Sequence, residues 1–277
     1  MKKLNAAYDS GLISQLPERV IQFGEGNFLR GFMDWMIHKM NQKNLFHGRI
    51  VAVQPTPHGR VVGKLNAQDG LYTTILQGIQ NGAVVDDREI ISSVSRGINP
   101  YEDWAACLAC AEDPAIEFVF SNTTEAGLSY NPEDRAELQP PLSYPGKLTA
   151  YLHHRYSHVS GSADKAMTIL PCEQVEKNGD LLKKLVLQYA ADWKLEPAFG
   201  AWVENSNVFI NSLVDRVVSG YPKENAEVYA KELGYEDALL VCGEVFHFLA
   251  LDGEASLVDR LPFKQAGLNV VIEKDIE

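Results

Sequence analysis

Basic residues and cysteines are both scarce in this chain. Against 37 acidic side chains stand 25 Lys and Arg, a formal net charge of -12. That sign argues against nucleic acid or an anionic membrane as partner, because the protein and the phosphates would repel each other. A small nucleotide stays open, since it needs only a local positive site. Of the four cysteines, Cys107 and Cys110 have the spacing of a metal or redox pair. However, Trp104, Cys107, Leu108 and Ala111 share one helical face and no second pair lies near, so a packed core helix is the reading. No metal site is expected. No apolar segment follows Met1-Lys2-Lys3, and no run approaches the ~20 apolar residues a bilayer crossing needs. Repeats and Gly/Ser linkers are absent too, so nearly all 277 residues are expected in one extended, cytoplasmic domain.

What the chain does have is concentrated between Arg19 and Phe32. Val20, Ile21 and Phe23 predict a short buried strand, Gly24-Glu25-Gly26 a sharp turn, and Asn27 the start of a helix carrying Phe28, Phe32, Trp35, Met36 and Met40. A strand, a glycine turn and a helix in that order can hold a phosphate: missing side chains let the backbone approach, and free N–H groups point at the anion. Ile21, Gln22, Phe23, Gly24, Glu25, Gly26, Asn27, Phe28, Leu29, Arg30 and Gly31 are therefore the cofactor-binding candidates. The third glycine of the usual fingerprint is missing; Leu29 occupies its place. From this stretch alone an ordinary strand-to-helix turn remains open.

Arg49 to Gln54 predicts a second buried strand, at the distance a βαβ unit requires. Its end carries no carboxylate for an adenosine ribose. Gln54 is the candidate in that place, and Arg60 is the single nearby base, so NAD and NADP are not separated. Residues 71–77 and 89–95 predict two strands of an antiparallel or edge insertion, with 78–87 as turn, and Asn99-Pro100 a helix start. Residues 116–120 predict a strand that ends in Asn122, Thr123, Thr124 and Glu125. These four hydrogen-bonding side chains sit where a doubly wound sheet gathers its ligand, although a polar capping loop would look the same. His153 and His154 point about 100° apart on a helix and read as surface residues. Residues 165–170 predict another strand, Asn178-Gly179-Asp180 a helix cap, and Asp215 with Arg216 a solvated pair.

Taken in order, Phe23 to Arg30, Leu65 to Tyr72, Ser121 to Gly127, Tyr144 to Thr149, Leu170 to Glu173 with Asn178-Gly179, and Asn211 to Arg216 resemble the mannitol dehydrogenase family of long-chain polyol dehydrogenases. The likeness runs from about residue 18 to 277. Within the family it points to the branch that interconverts tagaturonate and altronate. The resemblance implies an α/β fold with an extended Rossmann-type doubly wound sheet. Residues 1–235 would bind NAD, and 236–277 would extend that domain toward a mostly helical catalytic domain, largely missing here.

The family's catalytic lysine lies in a K-x4-N-x2-H pattern, where it serves as general acid toward a ketone accepting hydride. Lys264 is followed by Asn269 but by no histidine, so that lysine is expected beyond Glu277. The chain alone is then expected to bind cofactor weakly and turn over nothing. Gln174 stands where polyol enzymes place an oxyanion-binding asparagine, and Asn211 and Asp215 fall in a matching substrate segment. Lys147 is a separate candidate, because the carboxylate of a uronate needs a cation. A fructuronate reductase, a mannitol-type enzyme or a non-catalytic nucleotide-binding fragment are the alternatives. Nothing in the sequence sets an oligomeric state.

Overall fold

The computed structural model describes residues 1–276. Six parallel strands form its centre: β1 (Glu18–Phe23), β2 (Arg49–Val53), β3 (Val94–Ile98), β4 (Phe118–Ser121), β5 (Thr168–Pro171) and β6 (Val208–Phe209). Their order across the sheet is β3-β2-β1-β4-β5-β6, all parallel. This is the doubly wound α/β arrangement. Its order reverses between β1 and β4, which leaves a crevice at their carboxyl ends.

Strand alternation divides the core in two. Ile21, Phe23, Val51, Val53, Val119 and Ile169 face one side; Val20, Ile50, Ala52, Phe118, Phe120 and Leu170 face the other. Both sets are buried, as parallel strands require when cover lies on each face. On the second side sit α1 (Asn27–Gly31) and α2 (Met33–Gln42). The first side is covered by α3 (Trp104–Glu112), α4 (Tyr144–His158) and α5 (Asn178–Asp192). Cys107 and Cys110 are buried free thiols on α3, and burial pushes both up.

The helix expected from Asn27 is broken at Phe32, whose backbone leaves the helical region (φ -128°, ψ -84°). Side chains take the carbonyls it would use: the Tyr72 hydroxyl donates to Arg30 O at 2.8 Å and Arg216 to Gly31 O at 2.7 Å. Residues 78–87 are mostly strand, not turn. Strands Tyr72–Gln80 and Ala83–Ile91 form one hairpin whose turn is Asn81-Gly82, both at positive φ. An Asn-Gly pair accepts those conformations at low cost. Residues 89–95 accordingly span the end of the hairpin and the start of β3. The helix expected from Asn99 begins at Trp104, where the Asp103 carboxylate accepts the Ala106 N–H.

After β6 the chain adds strand Asn211–Asp215, antiparallel to Phe248–Asp252, which pairs in parallel with Val270–Glu273. Val218–Gly220 and Val241–Glu244 join the hairpin in a four-stranded sheet. Leu239, Val241, Leu249, Leu251, Val270 and Ile272 belong to the same buried cluster as α2. Among the described residues no helix is long and apolar enough to cross a membrane.

Candidate functional site

The turn after β1 lies against the end of β4. Gly24 has φ +132°, and a Cβ there would sit 2.8 Å from Asn122 O and 2.9 Å from Leu29 Cδ1. Only glycine can take this conformation and this approach. Gly26 differs: its φ is -69°, yet a Cβ would meet no atom within 4 Å. It keeps space open instead of relieving strain. The next N–H groups begin α1 and have no earlier carbonyl to bond.

Beneath the turn is a buried polar brace. Arg30 donates to Glu25 O at 3.1 Å, to Asn27 Oδ1 at 2.7 Å and to Leu239 O, with its guanidinium 5.4 Å from the Tyr72 ring centroid. The arginine therefore ties the turn to the residue 239 segment. Gln22 donates to Gly24 O at 3.0 Å. Burial pushes the Glu25 carboxyl up to about 7 and the Asp34 carboxyl up to about 7.

A cleft of about 490 Å3 opens beside the turn, lined by Phe28, Asn122, Thr124, Glu125, Ala126 and Gln174. Its volume suits part of a dinucleotide. Asn122 donates to Cys172 O at 2.7 Å. The Glu173 carboxylate accepts from Ser121 Oγ, Thr123 N and Thr123 Oγ1 at 2.9–3.0 Å, locking the ends of β4 and β5 together. A second cleft, of about 390 Å3, adjoins the first across Gln174, and its walls include Lys177, Asn211, Ser212 and Leu213.

Of the residues singled out in the sequence, Phe28, Asn122, Thr124, Glu125 and Gln174 line the first cleft, and Gln174 and Asn211 the second. Ile21 and Phe23 are core residues that support the turn, and Leu29 packs behind it. Four placements differ from expectation. Gln54 is buried at the end of β2 with its amide donating to Thr56 O at 2.8 Å, so the following loop engages it. Lys147 is fully buried on α4: its ammonium donates to Leu142 O at 2.8 Å, 5.1 Å from the Tyr101 ring centroid, and burial pulls it down to about 8. It lines neither cleft. Asp215 is exposed and lines neither cleft. Arg216 is no solvated partner of Asp215. Strand alternation turns it inward, 4.1 Å from the Trp35 ring centroid. Glu173 was not among the expected site residues; an acid two residues past a buried strand was the available signal. His153 and His154 pair with Glu196 and Glu112. No group of three or more potential metal ligands occurs among the described residues.

A doubly wound sheet with a glycine turn after its first strand and a cleft at its switch point defines a Rossmann-type fold. The chain belongs to the mannitol dehydrogenase family: the family description "Mannitol dehydrogenase Rossmann domain" matches residues 18–265. Among its relatives is the altronate oxidoreductase of Halalkalibacterium halodurans, 52% identical over 257 residues, 93% of this chain and 50% of that protein. The altronate oxidoreductase of Bacillus subtilis is 44% identical over 277 residues, 100% of this chain and 57% of that protein. The chain thus spans about half the length of these curated relatives. Two solved structures share the fold. A substrate-free D-sorbitol dehydrogenase has a TM-score of 0.78 at 22% identity, covering 100% of this chain and 59% of its own. A Pseudomonas fluorescens mannitol 2-dehydrogenase in ternary complex with NAD and D-mannitol has 0.78 at 20%, covering 99% and 58%.

Proposed function

We propose that this chain is the cofactor-binding part of an NAD(H)-dependent cytoplasmic oxidoreductase that interconverts tagaturonate and altronate. The observation that carries the reading is the Gly24–Gly26 turn, held against Asn122, which with Phe28 of the following helix lines the first cleft. The space a Gly26 Cβ would fill is the kind of cradle a diphosphate needs. The sugar acid comes from the relatives named altronate oxidoreductase.

In this reading the backbone amides of residues 24–29 hold the diphosphate. Asn122, Thr123, Thr124 and Glu125 hold a ribose and the nicotinamide side, while Gln54 stays at the adenosine end. NAD(H), when bound, supplies hydride chemistry at the nicotinamide ring. The Gln174 amide, which lines both clefts, hydrogen-bonds the substrate oxygen that gains charge when the carbonyl is reduced. Asn211 serves the sugar acid from the second cleft, and Asp215 stands at its outer strand.

Titrating the 277-residue chain with NADH and following the cofactor's fluorescence tests this. Saturable binding of NADH or of NADPH is expected. A flat titration with both cofactors overturns the reading.

A further inference from the structure

A cation buried away from water needs an anion or a full set of acceptors. Arg155, in the last turn of α4, is 1% exposed. Its Nε donates to Lys165 O at 2.7 Å, and its Nη1 to Ala111 O at 3.2 Å and Asp113 O at 3.1 Å. Among the described residues no carboxylate pairs with it, and its Nη2 amino group has no acceptor. The other buried arginines differ: Arg30 and Arg216 each use all three guanidinium nitrogens. The Arg155 Nη2 is not an enclosed atom, and Arg155 lines a cleft of about 300 Å3. The cleft lies at the amino ends of the strands, since Pro17 precedes β1, Glu117 precedes β4 and Ala166 stands just before β5. It is therefore remote from the two clefts at their carboxyl ends.

We propose that this cleft is a binding site for a phosphate dianion, free or as the monoester of a small metabolite, held by Arg155 together with Arg260 and Lys165. Four cationic side chains, Arg19, Arg155, Lys165 and Arg260, line it against two acids, Glu117 and Asp164. That is a local surplus of two positive charges in a chain whose formal net charge is -12. A phosphate group carries about two negative charges near neutral pH, and guanidinium groups match its oxygens. A monocarboxylate would leave one charge uncompensated. The volume lies at the lower end for ligand sites, which suits a small molecule.

The two acids do not close the site. Glu117 is committed to arginines: one oxygen accepts from Arg19 Nε at 2.9 Å and also from Arg19 Nη2, the other from Arg260 Nη2 at 2.8 Å. Burial pushes its carboxyl up, yet these arginines hold it below the usual carboxylate range. Arg260 also donates Nη1 to Thr168 Oγ1 at 2.7 Å, so it is anchored beside the cleft. Asp164 pairs with Lys165 at 3.3 Å through side chains that are 70% and 44% exposed. Such a pair contributes little, so Lys165 can turn to an incoming anion. Pro17, Pro114, Ala115 and Ala166 supply apolar wall, which strengthens a charged contact made against it.

Calorimetric titration of this chain with inorganic phosphate, with glycerol phosphate as a simple monoester, and with malonate tests the proposal, all at constant ionic strength. Saturable binding at one site is expected for phosphate or the ester. A tighter ester makes a phosphorylated metabolite the ligand, and equal affinities make it free phosphate. Arg155→Met, which keeps bulk without charge, should weaken binding at least ~10-fold, the loss of a charged hydrogen bond. Should that buried variant not fold, the double variant Arg260→Gln with Lys165→Gln, at partly exposed side chains, should give the same loss. Lys184→Gln, which removes a charge from the exposed face of α5, should bind as the parent does. NADH should not displace the phosphate. No saturable binding of either phosphate compound overturns the proposal, as does parent-like affinity in the Arg155 or the double variant. Displacement by NADH, or tighter binding of malonate than of both phosphate compounds, overturns it equally.

Discussion

The Glu173 carboxylate accepts the Thr123 backbone N–H at 2.9 Å and the Thr123 hydroxyl at 3.0 Å. Its other oxygen takes the Ser121 hydroxyl at 3.0 Å. One buried acid thus brackets the carboxyl ends of β4 and β5, the two strands that shape the first cleft. Glu173→Ala would strand those donors away from water, at a cost of about 1–3 kcal/mol. Urea unfolding should show a lower midpoint at unchanged slope, together with weaker NADH binding. An unaltered midpoint would mean that the bracket contributes nothing.

Gly24 and Gly26 should respond differently to the same methyl group. Gly24→Ala meets Asn122 O and Leu29 within 3 Å at a positive φ, so stability should fall by about 1–3 kcal/mol and cofactor binding with it. Gly26→Ala has room and an ordinary φ. Its melting temperature should match the parent's while NADH affinity drops, because the methyl enters the cradle. Paired melting and binding curves separate the two roles.

Burial lifts Glu25 from its ordinary 4.5 to about 7 and Asp34 from 3.8 to about 7. Between those values the folded chain keeps protons that the unfolded chain has released. This contribution to stability is full below about 4, declines as pH rises toward 7, and is then spent. Glu25→Gln should therefore gain on the parent as pH rises from 5 to 8 in melting experiments. NADH affinity should fall above pH 7 in the parent, where an ionised Glu25 within the turn would repel a diphosphate bound there, and stay level in Glu25→Gln. Parallel pH profiles for the two proteins would count against the assignment.

Arg216 and its neighbour Asp215 should part company on mutation. Arg216→Met keeps the bulk over Trp35 but leaves Gly31 O and Phe246 O without their donor. About 2 kcal/mol of stability should be lost. Asp215→Asn lies on the exposed face and should change stability by less than ~0.5 kcal/mol. Chemical denaturation of both variants distinguishes an inward brace from a surface ion pair.

Much of this was legible locally. The β-branched run before Gly24 and the later apolar strands are continuous apolar runs, as strands covered on both faces require, so the parallel sheet could be read without coordinates. The Gly24–Gly26 turn was equally plain. Its neighbours were harder, because a helix pattern from Asn27 does not reveal that Tyr72 and Arg216 take the carbonyls of Arg30 and Gly31. Two antiparallel strands were legible there, but their length was not, because the Asn81-Gly82 signal is two residues long and lies in a polar stretch.

Residue order alone thus determined the strand–turn–helix units, their parallel wiring and the polar segments at the carboxyl ends of the strands, since these follow from apolar patterning and from glycine's conformational freedom. Tertiary structure alone decided which charged side chains are available. Lys147 and Arg216 look like surface cations in one dimension, but neighbouring elements close over them and offer carbonyls and aromatic faces in place of water. Burial depends on what packs from distant parts of the chain, and no local pattern encodes that.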